Sequence, residues 1–144
     1  MGLMNPSRKQ TDFFSQRTGP VLRKLEKRES RVASATGNNV VAAATTTVIA
    51  VPSGYKATLL SYSLFIVFGG GTTNVRIEVD GKILMYFENP TTNYTAVLAD
   101  KWPYEEGPSF YSTFNFINSL PTASSFDYVL SVVYAIEPSG EGWY

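Results

Sequence analysis

Tyr55-Lys56-Ala57-Thr58-Leu59-Leu60-Ser61-Tyr62-Ser63-Leu64-Phe65-Ile66-Val67-Phe68 decides the fold class of this 144-residue chain. The run is rich in β-branched and aromatic residues and holds no breaker, which predicts one long strand. Successive side chains of a strand point to opposite faces. One face then presents Thr58, Leu60, Tyr62, Leu64, Ile66 and Phe68, and the other Ala57, Leu59, Ser61, Ser63, Phe65 and Val67. Leu59, Phe65 and Val67 make the second face partly apolar, and a strand with one solvated face does not look like this. A loop, the N-terminal arm or another subunit is expected to cover it.

The same pattern continues outward from this strand. Gly69-Gly70-Gly71 breaks it. Asn74–Asp80 alternates, with Val75, Ile77 and Val79 inward, and Asp80-Gly81 signals a hairpin returning into Lys82–Glu88. A short strand follows near Tyr94–Ala99. Asp100–Ser109, with two prolines and a glycine, predicts a long surface loop. Phe110–Asn118 resumes as a strand, Leu120–Ser125 is a loop, and Phe126–Glu137 closes the series with Phe126, Tyr128, Leu130, Val132, Tyr134 and Ile136 on one face. Upstream, Pro52-Ser53-Gly54 is a turn and Val40–Val51 a strand or broken pair of strands. Seven or eight such strands without helices between them predict an all-β fold: an antiparallel β-sandwich, jelly-roll-like.

The N-terminal part differs. Residues 1–38 hold eight bases against three acids, a net of +5, and residues 39–144 hold four bases against nine acids, a net of −5. The division predicts a basic arm, 1–38, and a sandwich domain, 39–144. Residues 1–19 read as an extended peptide carrying the isolated pair Phe13-Phe14. Gly19 as N-cap and Pro20 at the first helical position open an expected short helix over about 20–33. Val21, Leu22, Leu25 and Val32 fall near one face of it, and Arg23, Lys24, Lys27, Arg28 and Arg31 lie opposite. A helix this short is marginal alone, so it needs a surface to dock on. Ala35-Thr36-Gly37-Asn38-Asn39 reads as the hinge to the body.

Composition narrows the chemistry. The chain has no cysteine and no histidine. That removes disulfides, thiolate chemistry, Ser-His-Asp and Cys-His arrangements and the usual zinc ligands. No catalytic, cofactor or metal site is expected, and the chain does not read as an enzyme. Gly69-Gly70-Gly71-Thr72-Thr73 lacks the Lys and the following helix of a phosphate cradle and reads as a hairpin loop. Asp100, Glu105 and Glu106 share a loop with Trp102 and Tyr104. Adjacent Glu105 and Glu106 diverge on extended backbone, and the aromatic pair is the candidate for ring-stacking recognition, of sugars for example. The arm is weakly basic, with acids interspersed, so protein contact is favoured over nucleic acid. Met1–Gln10 has no apolar signal core, and no segment is long enough to span a bilayer, so no membrane role is expected.

Val48-Ile49-Ala50-Val51-Pro52-Ser53-Gly54-Tyr55-Lys56-Ala57-Thr58-Leu59-Leu60-Ser61-Tyr62-Ser63-Leu64 resembles an opening common in small tailed-bacteriophage virion proteins, a strand, then Pro-x-Gly-x-Lys, then a second strand. Tyr128–Glu137 is similar to their closing strand. The resemblance implies a jelly-roll decoration (cement) protein, or a related tail or fibre protein. It would act as a homo-oligomer, trimer or dimer, on the major capsid protein or other virion proteins, within a virion assembled in the host cytoplasm. On that reading the arm anchors through Phe13, Phe14, Leu22 and Leu25, and Arg17, Arg23, Lys27 and Arg28 pair with partner carboxylates. The other readings are a receptor- or glycan-binding sandwich using Trp102 and Tyr104, and a coat protein whose basic arm contacts genome.

Overall fold

The computed structural model describes residues 28–70, 73–89, 93–103, 106–119 and 125–140. Among these residues nine strands run in the order β1 (Glu29–Val40), β2 (Ala44–Ala50), β3 (Tyr55–Gly70), β4 (Thr73–Val79), β5 (Lys82–Asn89), β6 (Tyr94–Lys101), β7 (Ser109–Phe110), β8 (Thr113–Ser119) and β9 (Ser125–Pro138). One sheet has the order β1-β9-β3-β6, with β7 also on β3, and the other β2-β8-β4-β5. All pairings are antiparallel. The chain therefore folds like a long hairpin rolled on itself. First pairs with last, second with next-to-last, β3 with β6, β4 with β5. That nested pairing is a jelly roll, as the alternation predicts.

The inward residues of the two sheets make one core. Phe68, Phe110, Phe114, Phe116 and Phe126 are all fully buried. Their rings link the layers. Phe116 on β8 lies 4.4 Å from Tyr128 and 6.4 Å from Phe126 on β9. Phe126 continues to Phe68 at 6.1 Å, and Phe68 stacks on Phe87 of β5 at 5.7 Å. Aromatic pairs at such separations add to what their burial alone contributes.

Turn chemistry sets the register. Val79 pairs with Lys82 around Asp80 and Gly81, whose φ values of 51° and 78° are both positive. Two left-handed residues define the turn whose twist suits a two-residue hairpin, which is why Asp-Gly stands there. At Pro52-Ser53-Gly54, the Tyr55 N–H donates to the Pro52 carbonyl (3.1 Å) and Gly54 has φ 85°, closing a tight turn between β2 and β3.

Four expectations are corrected. The helix expected over about 20–33 does not extend through residues 29–33, which are extended in β1; residues 20–27 lie outside the described residues. Their strand state comes from main-chain pairing with β9, Glu29 opposite Ile136 and Ala33 opposite Val132, which overrides the local helical spacing. The hinge expected at Ala35–Asn39 lies inside the same strand. A bulge between Gly37 and Val40, with Asn39 at φ 53°, absorbs the breaker residues instead. On β3, a register shift between Leu59 and Ser61 re-aims the strand. Leu59 and Ala57 turn into the core with Tyr62, Leu64, Ile66 and Phe68, and Leu60 is only half-buried. Lastly, Phe110–Asn118 is two strands: β7 pairs with β3 in one sheet and β8 with β2 and β4 in the other.

The corner between β7 and β8 is held by Asp80. Its carboxylate accepts the backbone N–H groups of Tyr111 (2.8 Å), Ser112 (2.9 Å) and Thr113 (3.0 Å). Burial works against the charged carboxylate, but these three donors and Lys82 outweigh it, so its pKa lies below the ordinary value. A group whose folded pKa is depressed stabilises above its unfolded pKa and loses that contribution as pH falls through the folded one. Replacing Asp80 by Asn, which tolerates the positive φ, is expected to cost about 1 kcal/mol at pH 7, allowing for exposure. The difference from wild type should shrink below about pH 3.8, the unfolded value, and vanish at lower pH. Urea unfolding of both proteins from pH 7 to pH 2.5 checks this, and a difference that stays constant would remove the charge from the explanation.

Candidate partner-binding face

The register of the five-stranded sheet carries its outward side chains across four strands in rows. One row reads Thr36 on β1, Val129 on β9, Phe65 on β3 and Val97 on β6. The next, one pleat along, reads Ser34, Ser131, Ser63 and Ala99. Beyond it come Val32, Val133, Ser61 and Lys101, and on the other side of the first row lie Asp127, Val67 and Thr95. The face is apolar or small almost throughout. Phe65 is 44% exposed, Val129 49%, Val97 66% and Val32 72%. Within these four rows Lys101 and Asp127 are the charges, near opposite ends of the strands, and farther along the same side Lys56 faces Glu137. The Asp127 carboxylate accepts the Asn39 N–H at 2.5 Å and so also fastens the β1 bulge.

Two open depressions mark this face. One of about 510 Å³ is lined by Ser61, Ser63, Ala99, Lys101, Ser131 and Val133, with Tyr62 and Asp100 at its border. Burial, with the Asp100 charge adding to it, pushes the Tyr62 phenol up from its ordinary pKa, so it stays a protonated donor at neutral pH. The other, of about 430 Å³, lies between Thr36–Asn38 and the side chains of Phe65, Val67, Asp127 and Val129.

The outer face of the second sheet is built differently. Ile117, Arg76 and Tyr86 share a row across β8, β4 and β5, and Asn115 and Glu78 share the next. Arg76 donates to Glu78 at 2.6 Å, and Tyr86 to Glu88 at 3.4 Å. Charged pairs and amides of this kind suit water. One side of the sandwich thus sets charged pairs and amides beside the exposed Ile83 and Tyr86, and the other presents a band of apolar and small side chains.

The residues singled out in the sequence are placed as follows. Phe13, Phe14, Arg17, Leu22, Arg23, Leu25 and Lys27 lie outside the described residues. Arg28 is half-buried just ahead of β1. Trp102 is half-buried against the core, its ring 6.2 Å from Tyr62 and its backbone N–H donating to the Leu60 carbonyl (3.0 Å). Tyr104 lies outside the described residues. The expected loop containing them is shorter than its bounds, because β6 runs through Lys101 and β7 begins at Ser109. Phe65 and Val67, flagged by the two-sided pattern of their strand, do face outward. Val97 and Val129 escaped notice because only the register brings them beside Phe65. The signal available was alternation: Val129, Ser131 and Val133 follow one another on the second face of β9, between Asp127 and Glu137.

Among the described residues no group of His, Cys, Asp and Glu is placed to hold a metal ion. Lys56 and Glu137 make an ion pair at 3.4 Å, with the carboxylate almost wholly buried. It joins β3 to β9 beside the sheet end and has no second carboxylate as a chemical partner in the pairings described.

No protein-family model and no curated protein matches the chain. Solved structures similar to it include a Bacillus endospore appendage described as a novel family of disulfide-linked pili, at 12% identity over 78% of this chain and 88% of that one, TM-score 0.36. A cyanophage Pam1 capsid asymmetric unit matches at 19% identity over 78% of this chain and 87% of that one, TM-score 0.45. Infectious bursal disease virus, Gx strain, matches at 12% identity over 81% of this chain and 38% of that one, TM-score 0.29. With TM-scores below 0.5, these likenesses leave the function of this chain open.

Proposed function

We propose that this chain is a structural virion protein that decorates and cements a capsid by non-covalent clamping. The observation that carries the reading is the contrast between its two outer faces. A protein that works alone has no use for a sheet face with Phe65, Val97 and Val129 side by side, Val32 two rows along, and only Lys101 and Asp127 as charges within those rows. A subunit of an assembly has, because such a face gains its stabilisation only when a neighbour removes it from water. The resemblance of Val48–Leu64 and Tyr128–Glu137 to small phage virion proteins supports the virion as that assembly. The basic arm supplies the second contact: Phe13, Phe14, Leu22 and Leu25 insert, and Arg17, Arg23, Lys27 and Arg28 pair with carboxylates of the major capsid protein. Many modest contacts repeated by symmetry hold a subunit without one tight site.

Particles purified from the native source provide the test. An antibody to the exposed Pro52–Gly54 turn should decorate their surface in a regular array by electron microscopy. Reversing Arg17, Arg23 and Lys27 to Glu should lower occupancy by about tenfold or more, as expected for losing a few charge pairs. Unlabelled particles, with all of the protein left in the soluble fraction, would overturn the virion reading. Unchanged occupancy in the reversed variant would overturn the role of the arm.

A further inference from the structure

We propose that the outer face of the five-stranded sheet pairs with the same face of a second copy of this chain, across a two-fold axis that runs across the strands. This rests on the reading that the face is buried in an assembly, and it names what buries it.

The relief of the face is self-complementary. The row Thr36–Val129–Phe65–Val97 carries the larger side chains and forms the ridge, notched between Thr36 and Phe65 by the 430 Å³ depression. The adjacent row Ser34–Ser131–Ser63–Ala99 is small, and the 510 Å³ depression opens over it. When two identical faces meet, their two-fold axis lies in the plane of contact. An axis across the strands, midway between these two rows, lays the ridge of each copy on the trough of the other. Phe65 and Val129 then sit over the partner's Ser63 and Ser131, where no large side chain opposes them. Aligned sheets pack about 10 Å apart through such interdigitation.

Charge and area agree with this arrangement. The axis reverses strand direction, so the end of the face that carries Lys101 lies over the end that carries Asp127. Any register that stacked like ends would bring Lys101 toward its own copy. Four strands spaced about 4.8 Å and four rows about 6.8 Å apart give roughly 500 Å² of flat footprint per copy. Both copies together bury about 1,000 Å² before side-chain relief is added, which reaches what a specific interface needs.

The polar outer face of the other sheet has no such relief. Its Arg76 and Glu78 are already paired within the chain, and burying that pair against a second copy would strip both charges of water at a cost.

Sedimentation velocity on the full purified chain at roughly 10–100 μM, the range in which an interface of this size associates, tests the proposal. Wild type should sediment as a dimer. Val129→Lys and Val97→Lys should each weaken the dimer by about 100-fold, because a lysine would be buried unpaired at the contact. Both sites are solvent-exposed in the single chain, so circular dichroism and the unfolding midpoint should hardly change. The chain has no cysteine of its own, so Ser63→Cys reports on the face directly. It should cross-link to a dimer with a short bismaleimide, and Thr45→Cys on the other outer face should not. A monomeric wild type with a freely reactive Ser63→Cys thiol overturns the proposal. So does a monomer in which that thiol is protected, since another segment of the same chain then covers the face. A dimer indifferent to both lysines, or cross-linked through Thr45→Cys, places the contact elsewhere and also overturns it. A monomer whose particles still take the antibody would remove the pairing and leave the virion reading standing.

Discussion

Replacing Phe116 by alanine lowers the unfolding free energy by about 4 kcal/mol and the thermal midpoint by roughly 15–20 °C, the values expected for truncating a fully buried phenylalanine in a domain of this size. Phe116 is wholly inaccessible and touches the opposite sheet through Tyr128 and Phe126. Its removal takes away buried apolar area and leaves a cavity between two sheets that cannot close independently. Neighbouring rings also lose their edge contacts, so Phe126 and Phe68 become less firmly placed. Tyr86→Ala, on the charged outer face at 53% exposure, should change stability by no more than about 0.5 kcal/mol. Thermal and urea unfolding of the two variants beside wild type decide the matter. Equal losses in both would mean that the core is not packed around Phe116.

Gly107→Ala should cost about 3 kcal/mol, at the upper end for a forced steric insertion. A Cβ at Gly107 would overlap the carbonyl oxygen of Leu59 and press on the Cβ of Trp102. Neither neighbour yields cheaply. Leu59 is fully buried, and its N–H donates to the Pro108 carbonyl at 2.9 Å. Trp102 is tied by its own backbone N–H to the Leu60 carbonyl. The loop therefore clasps the β3 bulge, and the substitution should release it. Faster hydrogen exchange at the Leu59 and Trp102 amides would show where the strain goes, together with the lower midpoint. A variant as stable as wild type, with those amides still protected, would contradict the close approach.

The sequence made some parts of this fold plain and left others hidden, for physical reasons. The β4–β5 hairpin is legible because Val75, Ile77 and Val79 alternate with Arg76 and Glu78 up to Asp80-Gly81, and every part of that signal is local. β9 is legible for the same reason. β1 is not. Its side chains are small or polar, and none is fully buried, so nothing in Glu29–Val40 announces a strand. What makes it one is a row of hydrogen bonds to a strand about a hundred residues away. The spacing of Val21, Leu22, Leu25 and Val32 put Val32 on a helix face, yet Val32 stands on the outer face of a sheet. The break at Tyr111-Ser112 was equally hidden. Phe110, Phe114 and Phe116 keep one parity on both sides of it, and the Asp80 carboxylate that holds the corner lies thirty-odd residues upstream. For the candidate face, Phe65 and Val67 were visible as an excess of apolar character on one strand. The row that gives them meaning needed the pairings of β1, β6 and β9.

Because, among the described residues, β1 pairs only with β9 in its sheet, the order of synthesis matters to this molecule. As the chain leaves the ribosome, β1 emerges with no strand to join. β3 and β6 can meet, but the central position between β1 and β3 stays empty until β9 is made. Contacts this distant in sequence form late and slowly. The ridge and trough of the outer face do not exist before then, since Val129 and Ser131 belong to β9 itself. The sheet face that would meet a neighbour is thus the last part of the fold to be completed, long after the N-terminal residues have left the ribosome.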